Sequence, residues 1–431
     1  MTAHTARLAA YGAMGLPLAM VALPIYVQAP AYYTARLGMP LSTAGLILFL
    51  TRLIDTAQDP LLGRLADTLA RGRGLSTALW IGALCLVGAF AALWMPPVAG
   101  VALAVWFALA LVAIYAAHSF INVAYLAWGA RLASDSDVLT RAAAWREGAG
   151  VIGVLIASAA PAWLLATDDQ TPQRTMVPFI ALFAVLLIGA LYLLRFAPPW
   201  RMAPRSLDGR SGRGGFAHTI ASLWTPVRAN ASFRTILAPY FLNGLSVAIP
   251  ASLAVFFIED RLGAPQWVAP SLAAYFLAAA LGLPLWVRIS ARIGPRSAWR
   301  AAMGLAIAAF VWAATLGPGD VAPFLAVCVV CGVALGADLA LPPVLLARCI
   351  PDGEGAGAYF GIWTLIGKLC LAISALSLPA LAWFGYQPGN PATGGAGLAL
   401  ALAYAGLPCL FKLAALAALR APSRAVTENF P

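Results

Sequence analysis

The chain has 431 residues, of which 62% are hydrophobic and only 10% charged, whereas soluble domains average about 25% charged. Apolar runs of about 20 residues recur from end to end, each long enough to cross roughly 30 Å of hydrocarbon as a helix, so a soluble protein is excluded. The runs do not alternate as barrel strands do, and the net charge of +11 is placed by side of the membrane rather than gathered for nucleic acid.

The sequence predicts an all-α membrane protein with spans at about 8–34, 41–66, 75–97, 99–128, 142–167, 174–196, 231–258, 267–290, 298–316, 321–347, 358–385 and 395–419. The opening "MTAHTARLAAYGAMG" lacks a basic region followed by a small-residue cleavage site, so the first run reads as a retained span. Odd-numbered loops hold only Arg36, Arg174 and Arg261, and nearly all other arginines outside the spans lie in even-numbered loops or at the termini. The positive-inside rule then puts both termini on the cytoplasmic side of a plasma (inner) membrane.

The second span contains "TRLIDTAQDPLLGRLAD", with Arg52, Asp55 and Asp59 within eight residues. One ionised side chain at the centre of a bilayer helix costs about 2.5–3.5 kcal/mol on insertion scales, so three cost roughly 8–10. Spacings of three and four put the guanidinium and both carboxylates on one helix face. Two acids for one base leave a carboxylate in need of a cation, and intramembrane ionisable groups mark ion or solute pathways. A salt bridge of purely structural purpose is the alternative. At the span's end, "GRLADTLARGRG" offers Asp67 and Arg71 as a conformational latch or as part of a solvated loop.

In the fourth span, "YAAHSFINVAYLAWG" aligns His118, Asn122 and Tyr125 as a polar stripe and a candidate solute contact. "AAAWREGAG" opens the fifth with Arg146 next to Glu147; helical neighbours point about 100° apart, so the two are expected to face different partners, leaving Arg146 to donate paired hydrogen bonds to hydroxyls or a carboxylate.

The polar stretch after the sixth span divides the chain into a six-helix bundle (1–197), a cytoplasmic linker (198–230), a second six-helix bundle (231–420) and a cytoplasmic tail (421–431). "TARLGMP" in the first half is echoed by "EDRLGAP" about 225 residues later, which predicts pseudo-symmetric half-repeats. The acidic pair has no counterpart in the second copy. Many of the 39 glycines and 31 prolines lie inside apolar runs and fit broken, closely packed helices.

"CVVC" at 328–331 lies inside a span and reads as packing residues, and none of the six cysteines points to a disulfide framework. Asp338 in the tenth span is open between helix packing, gating and ligand contact. Lys368, in "GIWTLIGKLCLAISAL", is one of only two lysines, with Thr364 one turn earlier on the same face. A lysine this far inside a span shifts its pKa or pairs.

Together "RLIDTAQDPLLGRLAD", "NVAYLAWGARL…TRAAAWRE" and "TLIGK" resemble the glycoside-pentoside-hexuronide:cation symporters, the melibiose-permease type within the major facilitator superfamily, in the same order over nearly the whole chain. The resemblance implies the major facilitator fold, a Na⁺ or H⁺ site at Asp55 and Asp59 with Thr364 and Lys368 beside it, and Arg146 near a sugar. It is incomplete at Ala19, Asn122, Leu126 and Gln58, where melibiose-type members carry two acidic sugar ligands, an aromatic platform and an asparagine respectively. The solute and the choice between Na⁺ and H⁺ therefore stay open, and the family also includes lysolipid carriers.

The resulting expectation is a secondary transporter that couples a Na⁺ or H⁺ gradient to symport of a sugar, glycoside or related small solute by alternating access. Asn122, Arg146, Lys368, His118 and Tyr125 are the solute candidates, and Arg52, Asp67, Arg71 and Asp338 serve charge balance or gating. Beyond the coupling ion no cofactor is expected; the partners are the lipid bilayer and a small-molecule solute, with no nucleic acid and no obligatory protein partner. A non-transporting sensor or scaffold would instead use the linker as its interaction surface. Catalysis is not expected, because His4, His118 and His218 are scattered and no nucleophile–base pair is evident.

Overall fold

The computed structural model describes residues 3–71, 74–129, 142, 145–158, 176–197, 230–350, 356–392 and 394–420, and every regular element among them is helical. In chain order the long helical segments are α1 (Thr5–Arg36), α2 (Leu41–Arg71), α3 (Leu75–Trp94), α4 (Val101–Leu126), α5 (145–158), α6 (Val177–Phe196), α7 (Ala231–Arg261), α8 (Pro265–Ile293), α9 (Pro295–Ala313), α10 (Val321–Leu346), α11 (Gly361–Trp383) and α12 (Gly394–Leu419). Nine of these are long and apolar enough to cross a membrane. The other three, α2, α5 and α9, coincide with the second, fifth and ninth spans expected from sequence. The second of those spans is the one that carries the mid-helix charges. This is the all-helical membrane architecture the sequence predicts.

The described residues group into two compact units, one of Met1–Ser206 with Val268–Ala273, the other of Leu207–Trp267 with Ala274–Pro431. In the first, α2 packs along α4, and α3 lies against α4 and α6. Phe90, Trp94, Phe179 and Phe183 fill the α3–α6 contact and are fully buried. Glycine brings α1 and α5 into backbone contact: a Cβ at Gly153 would stand 2.1 Å from the Leu16 carbonyl oxygen, and one at Gly15 would stand 2.3 Å from that of Arg146. Without a hydrophobic drive between lipid-immersed helices, such close backbone approach is a main source of cohesion. Gln28 of α1 then donates its Nε2 hydrogens to the carbonyls of Ala157 and Ser158, each at 3.1 Å, tying the chain there to α1.

In the second unit α7 packs on α11 and α12, while α9 packs on α10 and α12. Between α8 and α10 the glycines again set the spacing, with Gly332 facing the Tyr275 carbonyl and Gly336 facing the Leu283 amide.

The Arg-Leu-Gly echo is a structural repeat. α1 ends in a π-helical turn over Tyr32–Arg36, and α7 ends in one over Phe257–Arg261. Each closes with the same pair of backbone bonds, Leu37 N–H to Tyr32 O (3.2 Å) and Met39 N–H to Tyr33 O (2.9 Å) in one, Leu262 N–H to Phe257 O (3.0 Å) and Ala264 N–H to Ile258 O (3.0 Å) in the other. The glycine of each motif turns the chain in the left-handed region, Gly38 at φ 73° and Gly263 at φ 64°.

Candidate functional site

Arg52 and Asp55 sit mid-way along α2, only 7% and 8% exposed. Asp55 faces α4, where the Ser119 hydroxyl donates to its Oδ1 at 2.8 Å. Gln58, one turn further along α2, donates its Nε2 hydrogen to the same oxygen at 3.1 Å. The carboxylate is thus positioned by two neutral donors, one on its own helix and one across the interface. A hydroxyl that has given its proton still offers oxygen lone pairs, so Ser119 and Asp55 together present oxygen ligands of the kind a hard cation takes.

Arg52, which shares a helix face with Asp55, places its guanidinium over the rings of Tyr26 on α1 (5.2 Å to the centroid) and Tyr115 on α4 (5.5 Å). A planar, weakly hydrated guanidinium is suited to such ring faces in a dry interior. The side chains of Asp59, Asp67 and Arg71, also singled out in sequence, lie outside the described residues.

The fourth-span stripe divides. His118 makes a 3.1 Å hydrogen bond between its Nε2 and the Leu18 carbonyl of α1, and Asn122 is half-buried. Tyr125 is 1% exposed, stacks on Tyr11 at 4.6 Å, and donates its hydroxyl hydrogen to the Tyr11 carbonyl at 3.0 Å while Tyr11 donates to the Tyr125 carbonyl at 3.3 Å. Its ring and hydroxyl join the α1–α4 contact as an interhelical clamp. Arg146 departs from expectation: its Nε and Nη2 both donate to Glu147 Oε1, at 3.2 and 2.5 Å. Long side chains bridge adjacent helical positions even though their Cα–Cβ bonds diverge. The pair is open to surroundings, with the side chain of Arg146 29% and that of Glu147 72% exposed.

Thr364 and Lys368 lie on α11 of the second unit, Thr364 exposed and Lys368 half-buried. That unit contains a charge cluster of its own. Lys412 of α12 is 4% exposed and pairs with Asp338 of α10 at 3.1 Å. Lys412 also donates to Asn243 Oδ1 (2.8 Å) and Ser246 Oγ (3.3 Å) on α7, and Trp299 Nε1 of α9 donates to the other Asp338 oxygen at 2.7 Å. Asp338 thus joins α10 to α9 and α12 around a buried cation. Among the described residues no cluster of His, Cys, Asp and Glu has the form of a metal site.

The family model for MFS/sugar transport proteins matches residues 8–421, nearly the full length. The chain belongs to the MFS/sugar transport protein family. It is a polytopic membrane protein of a transporter family, not of an enzyme family. Several solved major facilitator transporters share the fold. The nucleoside transporter NupG superposes with a TM-score of 0.67 at 14% identity, covering 98% of this chain and 100% of its own. A D-xylose–proton symporter gives 0.65 at 16%, covering 96% of each chain. A bacterial homologue of the human lysosomal transporter Spinster, inward-facing and unoccupied, gives 0.67 at 15%, covering 97% of this chain and 94% of its own. No curated protein is similar enough in sequence to count as a match.

Two residues of this MFS/sugar transport protein escaped sequence reasoning. Ser119 sits one position off the His118–Asn122–Tyr125 stripe, and its signal was helical register with Tyr115, four residues earlier on the face that meets α2. Lys412 is the chain's second lysine and lies inside the last apolar run; its rarity was the signal.

Proposed function

We propose that this secondary transporter couples the movement of Na⁺ or H⁺ to symport of a sugar, glycoside or related small solute by alternating access, in an inner membrane and with both termini on the cytoplasmic side. Asp55 is the coupling carboxylate, with Ser119 and Gln58 as its positioning partners and Asp59 as a second acid carried over from helical spacing. The observation that supports this reading is a carboxylate buried on α2 at the α2–α4 contact and oriented by the Ser119 hydroxyl, an oxygen group that can serve a cation alongside it. Intramembrane carboxylates mark ion pathways, and two oxygen groups held side by side suit a small cation that arrives and departs. Ion and solute are then linked reciprocally, each raising the affinity of the other.

The test is uptake into proteoliposomes of a panel of sugars and glycosides under an imposed Na⁺ or proton gradient. Accumulation driven by one gradient and abolished in Asp55→Asn is the expected result. Gradient-driven accumulation at the normal level in Asp55→Asn removes this carboxylate from the coupling step.

A further inference from the structure

The second unit holds a buried polar knot that ties four helices. All three hydrogens of the Lys412 ammonium have acceptors, at Asn243 Oδ1, Ser246 Oγ and Asp338 Oδ2, and both Asp338 oxygens are occupied, the second by Trp299 Nε1. Ser246 in turn donates to the Asn243 carbonyl at 2.6 Å. Asn243 and Ser246 are 4% and 2% exposed and Trp299 is fully buried. Around the knot lies an apolar shell that includes Trp286, Met303, Leu341 and Leu345. With the ammonium and both carboxylate oxygens engaged by protein groups, the consequence of the network lies in the backbone it holds.

Two of its members stand where the helices are weakest. Proline lacks an N–H, so the carbonyl four residues earlier loses its helical hydrogen bond. α7 contains Pro250, and the residue four before it is Ser246; α10 contains Pro342, and the residue four before it is Asp338. Pro343 removes the next bond of α10 as well. The stretch before the α10 break is pinned by Gly332 and Gly336 against α8, so bending is directed to the turns that follow Asp338.

We propose that the Asp338–Lys412 pair is a lock across two proline hinges, one in α7 and one in α10, and that it sets how far these helices bend within the second unit. Helices interrupted by proline are the compliant elements of transporters. The ammonium bridges both weak turns at once, so the hinges open together when the pair is disengaged. This inference does not depend on which ion or solute is carried.

The lock is tested by hydrogen–deuterium exchange on the full chain in nanodiscs. In the double variant Asp338→Asn with Lys412→Met, which leaves no uncompensated charge, amides of 244–254 and 336–346 are expected to exchange about tenfold faster while the rest of the second unit is unchanged. Adding Pro250→Ala, Pro342→Ala and Pro343→Ala restores the missing backbone bonds and is expected to reverse most of that acceleration. A single-site variant, Trp299→Phe, keeps both charges and is expected to speed exchange in 336–346 alone, by about tenfold, the effect of one hydrogen bond to a charged group. Uniform acceleration throughout the second unit in the double variant, or none in either segment, overturns the lock and leaves the pair a general stabiliser.

Discussion

Ser119 of α4 donates its hydroxyl hydrogen to Asp55 of α2 across 2.8 Å, in an interface where both side chains are less than one-tenth exposed. A hydrogen bond to a charged group contributes about 1.5–3 kcal/mol. On the proposed role of Asp55 as the coupling carboxylate, Ser119→Ala is expected to raise the half-saturating concentration of the coupling cation about tenfold to a hundredfold, and Ser119→Thr to restore it. Cation titration by thermal shift measures this directly, since a ligand that binds the folded state stabilises it by mass action. Unchanged half-saturation in Ser119→Ala would remove the hydroxyl from the site.

The seat of Arg52 gives an opposite pair of signs at one residue. Tyr115 presents its ring to the guanidinium, while among the described residues its own buried hydroxyl meets no partner in good hydrogen-bond geometry. Tyr115→Leu is expected to lower stability by about 1–2 kcal/mol through loss of the cation–π contact. Tyr115→Phe keeps the ring and removes an unsatisfied hydroxyl, so it is expected to be neutral or slightly stabilising. Thermal unfolding of the two variants in detergent checks the ordering, and equal losses would show that the ring face is not what holds Arg52.

Legibility in the sequence followed range. Membrane spans depend on local composition, and the helices lie where the apolar runs are; even α2, with its mid-span charges, was readable because its flanks are lipid-soluble. The Arg-Leu-Gly echo was readable because the motif is short and its glycine has a conformational job. Partnerships were not. Lys412 lies 74 residues from Asp338, on a helix whose rotation no local pattern fixes, and the rings beneath the Arg52 guanidinium belong to two other helices, α1 and α4. The Arg146–Glu147 pairing was missed for a different reason: helical periodicity describes Cβ directions, whereas a guanidinium reaches well beyond its Cβ.

Glycine sets the α1–α5 distance. Gly153→Ala would put a methyl 2.1 Å from the Leu16 carbonyl oxygen, backbone that has no rotamer with which to yield. Overpacking of this kind costs about 1–3 kcal/mol or more, so the variant is expected to fall in folded yield and melting temperature. Gly88→Ala in α3 meets nothing within 4 Å and is the matched control, expected to equal the parent or gain slightly from the better helix former. Size-exclusion profiles and melts of the two, side by side, check the contrast.

The two Arg-Leu-Gly corners make a prediction about symmetry. Gly38 and Gly263 both hold φ in the left-handed region, at 73° and 64°, and a Cβ on either meets nothing within 4 Å. The cost of alanine at each is therefore one of backbone conformation alone, about 1–2 kcal/mol. Because the flanking backbone bonds are the same pair in both corners, Gly38→Ala and Gly263→Ala are expected to lower the melting temperature by similar amounts. Asparagine tolerates this region better than alanine does, so Gly38→Asn and Gly263→Asn are each expected to recover part of the loss. Urea or thermal unfolding of the four variants measures the pairs. If alanine is harmless at one corner and damaging at the other, the shared turn geometry is not what the two motifs have in common.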